Sequence, residues 1–259
     1  MFQLKRILFP VDFSDRANKA TAYVDALASQ FGAELILLHV LEPLPYNAPL
    51  GDSHGSHWEK FGEVFSAHHL HVKRLTEHGE PASRIVECAK RHEVDLIMMT
   101  THGLGVFRRL IIGSNTAKVL HDADCPVWTG VHIEDAVHPE QVVCRRVLCA
   151  VDLGPSSVQV LRWAVGFVRG SGADLILVNV TTNSPRARRE LEALQKATGS
   201  NAEMRIESGE PSKVVAQVAE EVKADLLVIG RCSTEGILGR LEMTAYSIIR
   251  QSPCPVISV

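Results

Sequence analysis

An α/β fold is predicted for this chain: two tandem copies of a doubly wound domain, each built on a five-stranded parallel sheet. Three observations predict it. The chain repeats itself in order, each repeat carries short apolar runs rich in β-branched residues, and the segments between those runs carry a helical apolar period. A length of 259 residues suits two domains of ordinary size.

The repeat is read first, because a missed repeat misassigns the whole fold. Arg6-Ile7-Leu8-Phe9-Pro10-Val11-Asp12 matches Arg146-Val147-Leu148-Cys149-Ala150-Val151-Asp152 at an offset of 140. Gly32 to Val40 matches Gly172 to Val180 at the same offset. Gly79-Glu80-Pro81 matches Gly209-Glu210-Pro211 at 130, and Asp95-Leu96-Ile97-Met98 matches Asp225-Leu226-Leu227-Val228 at 130. Cys125-Pro126-Val127 matches Cys254-Pro255-Val256 at 129. The second copy therefore lacks about ten residues between its second and third segments. The domains are expected at 1–135 and 142–259, joined by a polar, acidic linker from Val131 to about Gln141.

Each copy reads β-α-β-α-β-α-β-α-β. The strands are expected at 5–11, 34–40, about 70–75, 95–99 and 126–129, then at 145–151, 174–180, 203–207, 225–229 and 255–259. Near-continuous apolar strands imply burial on both faces, as in a parallel sheet covered by helices. Ala17, Ala20, Val24, Leu27 and Ala28 form one helical stripe, and Val160, Leu161, Ala164 and Val165 its counterpart. Ser14 or Asp15 is expected to start the first helix, and Ser83 or Pro81 the third. Alternation of this kind gives a doubly wound sheet with right-handed crossovers.

Composition narrows the function. Hydrophobic residues make up 46% and charged residues 22%, as in a soluble globular protein. A net charge of −3 points away from nucleic acid and membrane-surface partners. No apolar run is long enough to span a bilayer. Met1 leads directly into a strand-like segment with no secretory signal, so a cytoplasmic location is expected. The six cysteines form no C-x-x-C pair and are expected to be reduced, buried thiols.

In an open parallel sheet, ligands bind beyond the carboxyl ends of the strands at the switch point. There the sequence places Pro10-Val11-Asp12 after the first strand and Val40 after the second. After the fourth come Met99-Thr100-Thr101-His102-Gly103, and then Gly113-Ser114-Asn115 opening a helix. Free N–H groups at a helix start make an anion site, with a phosphate as its natural occupant. Ser114 either caps that helix or donates to a phosphate oxygen.

These residues resemble the universal stress protein family across nearly the whole chain, in both halves. Nucleotide-binding members of that family carry G-x-x-G-x9-G-[S/T] after the fourth strand and an Asp after the first. Here the pattern reads Thr100-x-x-Gly103-x9-Gly113-Ser114, with Asp12 at the other position; Thr100 replaces the first glycine. The resemblance implies an adenine nucleotide α-hydrolase-like, Rossmann-like fold and binding of ATP, with magnesium. By the same resemblance Asp12 and Val40 hold adenine, and Pro10 and Val11 line its pocket. Thr100 to Gly103 sit near the ribose, and Gly103, Gly113, Ser114 and Asn115 cradle the phosphates, with His102 close by. In the family the last strand pairs two domains across a two-fold axis. The Cys-Pro-Val strands are therefore edge candidates that either pair within this one chain or stand as capped edges. A further homodimer is a third arrangement.

The second copy departs further, with Gly230-Arg231-Cys232-Ser233, nine residues, and Met243-Thr244. Met243 stands where a backbone glycine would meet phosphate, so this half is expected to bind nucleotide poorly. Asp52, His54 and His57 could share a metal only if their loop folds back; a polar loop is the simpler reading. Trp58, Phe61, Val64 and Phe65 lie on one face of an expected helix, and Arg108 and Arg109 read as a solvated basic turn. Three functions remain open: a nucleotide-binding regulatory stress protein, a slow ATPase, and a nucleotide-free interaction protein. No Walker A loop, pyrophosphatase loop or dinucleotide fingerprint is present, since Gly103-Leu104-Gly105 lacks its third glycine.

Overall fold

The computed structural model describes residues 2–41, 58, 65, 70–100, 112–130, 138–231 and 243–259. The N-terminal half runs β1 (Arg6–Pro10), α1 (Asp15–Phe31), β2 (Glu34–Leu41), β3 (Val72–His78), α2 (Pro81–Arg91), β4 (Leu96–Thr100), α3 (Ser114–Asp122) and β5 (Val127–Gly130). A 3-10 turn, Pro139–Gln141, lies in the connection. The C-terminal half runs β6 (Arg146–Ala150), α4 (Ser157–Ser171), β7 (Asp174–Val180), α5 (Ser184–Thr198), β8 (Glu203–Glu207), α6 (Pro211–Glu221), β9 (Leu226–Ile229), α7 (Met243–Gln251) and β10 (Val256–Ser258). The helix expected around Phe61 and Val64 lies outside the described residues; Trp58 and Phe65 are described, and Phe65 is buried.

The two sets of five strands form one ten-stranded sheet, in the order β3-β2-β1-β4-β5-β10-β9-β6-β7-β8. Within each half all pairs are parallel; β5 and β10 are antiparallel. The Cys-Pro-Val strands are thus the centre of the sheet and not its edges. Trp128 faces Ile257, with Thr129 opposite Val256 and Val127 opposite Ser258. Trp128 and Ile257 are equivalent in the repeat, so a local two-fold axis passes between them. The Thr129 hydroxyl donates to the Val256 carbonyl across the seam at 3.3 Å.

Strand residues alternate between two cores. Ile7, Phe9, Leu35 and Leu37 pack under α1, and their counterparts pack under α4 and α5. Leu8, Ile36, Leu38 and Ile97 pack under α2 and α3, with α6 and α7 covering the equivalent face. The outer strands β3 and β8 carry charged residues, contain no fully buried residue and are less apolar than the inner ones, as suits unpaired edges.

Helix ends follow from local chemistry. Ser14 caps α1 by accepting from the Ala17 N–H at 3.2 Å, and Gly32 ends it at φ 61°. The α2 cap is neither Ser83 nor Pro81. Glu80 is the cap, accepting from the N–H groups of Ala82 and Ser83, with Pro81 at the first turn; Glu210 repeats the arrangement on α6. The carboxylate offers one oxygen to each donor, Oε1 to Ala82 and Oε2 to Ser83.

Arg231 closes the seam from the side. It is 8% exposed and donates to the carbonyls of Cys125 at 2.8 Å and Leu120 at 3.4 Å, both in the other half. Arg231→Ala leaves those carbonyls short of a charged donor. It is expected to lower stability by about 2 kcal/mol, read as an earlier urea midpoint with an unchanged denaturant slope.

Candidate functional site

At the tip of β1 the chain is held from both sides. The Val11 N–H donates to the Leu38 carbonyl at 2.8 Å, and His39 Nδ1 lies 2.8 Å from the Val11 carbonyl. A carbonyl only accepts, so Nδ1 carries the proton. The chain then turns. Asp12 Oδ1 accepts from the Ser14 N–H at 3.0 Å, and Phe13 sits at φ 57°. A left-handed conformation costs a residue with a side chain about 1–2 kcal/mol. The turn leaves Asp12 exposed at the strand tip, two residues before the α1 cap.

The tip of β4 brings the second wall. Met99 is buried, Thr100 is half-buried, and the Thr116 hydroxyl of α3 donates to the Thr100 carbonyl at 3.2 Å. This bond fixes the start of α3 beside β4. The α3 cap residue is Gly113, with no side-chain cap bond. Ser114 is therefore not the cap; it is the exposed first residue of the helix. The amides of that first turn have no intrahelical partner.

Between these walls, at the switch point from β1 to β4, lies a cleft of about 220 Å³. It brings together Pro10, Val11, Asp12, Val40, Met99, Thr100 and Asn115. Gly113 and Ser114 do not line it but stand directly before Asn115. His102 and Gly103 lie outside the described residues, as do Asp52, His54, His57, Arg108 and Arg109. Leu38, His39, Pro81 and Ile85 complete the lining and were missed. Pro81 belongs to the repeated Gly-Glu-Pro segment, and that duplication was a signal for it. Among the described residues no cluster of metal-ligating side chains occurs.

A helix contact stiffens the rim. Lys118 of α3 pairs with Glu80 of α2 at 2.8 Å. The Lys118 ammonium, then the Ser83 hydroxyl and amide, pull the Glu80 carboxyl from 4.5 down to about 2.

The second half keeps a cleft of about 250 Å³ at the equivalent place, lined among others by Val151, Asp152, Val180, Pro211, Gly230 and Thr244. Asn179 replaces His39, donating from Nδ2 to the Val151 carbonyl at 2.8 Å, and Leu153 repeats the left-handed turn at φ 64°. Two features differ. Asp152 Oδ1 accepts from the Gly154 N–H at 2.7 Å and also from the Ser157 hydroxyl at 2.9 Å, where the first half has Ala17. Ala245 stands in place of Thr116, so no hydroxyl ties α7 to β9. Met243, at the start of α7, is 85% exposed. A wider groove of about 630 Å³ lies at the opposite ends of β6 to β8, away from the switch point. Its arginines are already engaged: Arg146 donates to the Val222 carbonyl, Arg169 to the Gly199 carbonyl, and Arg205 to Glu203.

Fold and site together define a class: a duplicated, doubly wound α/β protein with a cleft at each switch point. The Usp family model, described as the universal stress protein family, matches residues 3–129 and 183–259, and the chain belongs to that family. Residues 142–182 fall outside the match, yet β6, α4 and β7 reproduce the pairing of β1 and β2. A universal stress protein of Thermus aquaticus is 34% identical over 131 residues, covering 48% of this chain and 96% of its own length. One from Mycolicibacterium smegmatis is 23% identical over 282 residues, covering 95% and 93%. The crystal structure of a universal stress protein from Archaeoglobus fulgidus shares the fold over 99% of this chain and 96% of its own, with a TM-score of 0.77 at 24% identity. The cytoplasmic domain of a prokaryotic cation chloride cotransporter shares the fold too, covering 99% of this chain and 95% of its own, with a TM-score of 0.60 at 11% identity.

Because the folded-state value of Glu80 is depressed, its contribution to stability is present above pH 4.5 and is lost as pH falls towards about 2. Glu80→Gln is expected to flatten the acid side of the stability curve in that window, measured by urea unfolding at successive pH values.

Proposed function

We propose that the N-terminal half of this universal stress protein binds an adenine nucleotide, ATP with magnesium, and that occupancy regulates its choice of partner in the cytoplasm. The observation that carries this reading is the cleft at the tips of β1 and β4, placed beside a helix start with no side-chain cap. Val11, Val40, Met99 and Ile85 give an apolar slot for a flat base. Asp12 gives a carboxylate able to accept from an exocyclic amine. The main-chain amides at Gly113 to Asn115 and the positive end of α3 suit the phosphates, with magnesium carried on the phosphate oxygens. His102 and Gly103 belong to the same proposed site by their place in the sequence motif. His39 is committed to the Val11 carbonyl, which supports a binding role over a catalytic one.

The two halves act as separate domains, residues 1–135 and 142–259, joined as a pair within one chain. The second is the weaker nucleotide site. Its Asp152 is already drawn to Ser157, and its α7 starts at Met243 where α3 starts at Ser114, so Met243 stands one position on from the Gly113 place that the motif spacing gave it.

The test is direct. Purified protein is denatured and the supernatant run by anion-exchange chromatography, and Mg-ATP is titrated calorimetrically. Co-purified or titratable nucleotide is expected. Asp12→Ala and Gly113→Val are each expected to weaken it by about tenfold or more, roughly 1.4 kcal/mol, and Asp152→Ala to leave it unchanged. Phosphate release that scales with protein and disappears in Gly113→Val would move the reading to a slow ATPase. No bound nucleotide, together with no thermal shift in millimolar Mg-ATP, would leave a nucleotide-free interaction protein.

A further inference from the structure

The two halves are filled unequally beside the seam. Residues 2–4 and 142–144 are equivalent in the repeat, and each segment leads into the first strand of its own half. Each also lies across the first helix of the other half. Phe2 packs on α4, with its ring edge-on to Trp163 at 5.5 Å and to Phe31 at 6.3 Å. Helix α4 makes room for it with Gly166, where an added Cβ would stand 2.4 Å from the Phe2 ring. The opposite seat is lined by Val142 together with Tyr23, Ala26 and Gln30 of α1. Ala26 is the counterpart of Gly166. Valine is smaller than phenylalanine, and a cavity of about 330 Å³ remains on this side.

The walls of that cavity are apolar and polarisable. Tyr23 and Trp128 form a tilted pair at 5.8 Å, joined by Leu27, Met98, Phe167 and Ile257. Among the described residues no lysine or arginine lines it. Asp225 is the carboxylate of the lining, and its Oδ2 already accepts from the N–H groups of Arg145 at 2.8 Å and Arg146 at 2.9 Å. Burial pushes the Cys144 thiol up to about 12 and raises the Tyr23 phenol, so both stay neutral. The cavity opens near the starts of β9 and β10, at the opposite end of the sheet from the strand-tip cleft of the C-terminal half, and shares no lining residue with either strand-tip cleft.

The geometry points to a second ligand site, between the two halves, for a neutral, flat, mostly apolar molecule of one or two fused rings lying against Trp128 and Tyr23. The volume is at the small end of ligand pockets, about 300 Å³ and upward. Aromatic walls favour a ring in offset or edge-on contact. Among the described residues, a lining without lysine or arginine, whose Asp225 carboxylate is satisfied, gives no partner to an anion. Tyr23, Gln30 and Gln141 supply hydrogen-bonding groups at the edge.

The experiment titrates the full chain with the neutral dye N-phenyl-1-naphthylamine, with indole as competitor, in the presence and absence of saturating Mg-ATP. Saturable one-to-one dye binding is expected, displaced by indole and indifferent to Mg-ATP. Val142→Phe fills the open seat as Phe2 fills the other, and is expected to weaken dye binding by about tenfold or more while retaining the thermal midpoint. Ala26→Leu fills the same space from the helix side and serves if Val142→Phe fails to fold. No saturable binding to the unmodified chain, displacement by Mg-ATP, or undiminished affinity in a folded filling variant would overturn the proposal.

Discussion

Between Trp128 and Ile257 two strands run in opposite directions, in a sheet where every other pair is parallel. That reversal sets much of the architecture. A parallel pairing would stack the halves head to tail and leave one half free to recruit another copy. Antiparallel pairing closes the set, because each half presents the same strand to the other. It also turns what would be two exposed inner edges into the buried centre of the sheet. The remaining edges, β3 and β8, carry Lys73, Arg74 and Glu77 on one side and Glu203, Arg205 and Glu207 on the other, which discourages further strand addition.

The same symmetry duplicates the strand-tip clefts, and the differences between them are chemical. Both keep a left-handed residue after the aspartate and a side chain on the following strand that donates to the carbonyl just before the aspartate. A turn of that kind is strained, and strained turns persist where the surrounding structure fixes them. The divergence falls on the helix side. Thr116 anchors α3 in the first half, whereas the second has Ala245. The residue after Gly230 is spent on the seam: Arg231 points into the neighbouring half. In the second half the chain leaving β9 thus starts by bracing the molecule.

The sequence made the sheet and the order of its elements legible, because strand cores such as Ile7-Leu8-Phe9 and Val147-Leu148-Cys149 are continuous apolar runs repeated at one offset. The direction in which β5 meets β10 was not written in those runs, since a short apolar strand pairs equally well either way. Glu80 escaped notice as a cap because its long carboxylate is an uncommon one, preferred less than serine or aspartate. Asp12, Val40 and Thr100 were found by their place at strand tips. Ile85 and His39 were not, because one approaches from a helix remote in sequence and the other reads as an interior strand residue. The cavity beside Val142 depends on side chains of both halves, and no single stretch of sequence encodes it.

The 3-10 turn Pro139–Gln141 packs against α1, so the chain that connects the halves is also part of their joint. Covalent connection makes each half's partner permanently local, at an effective concentration that dilution cannot lower. Two separate single-domain chains must remain alike to stay symmetric, and any change in one face appears twice. Here Phe2 and Val142 occupy matching seats with different side chains, and Ser157 and Ala17 differ likewise. Fusion has released the two copies from that obligation, so one half can specialise while the other remains its scaffold.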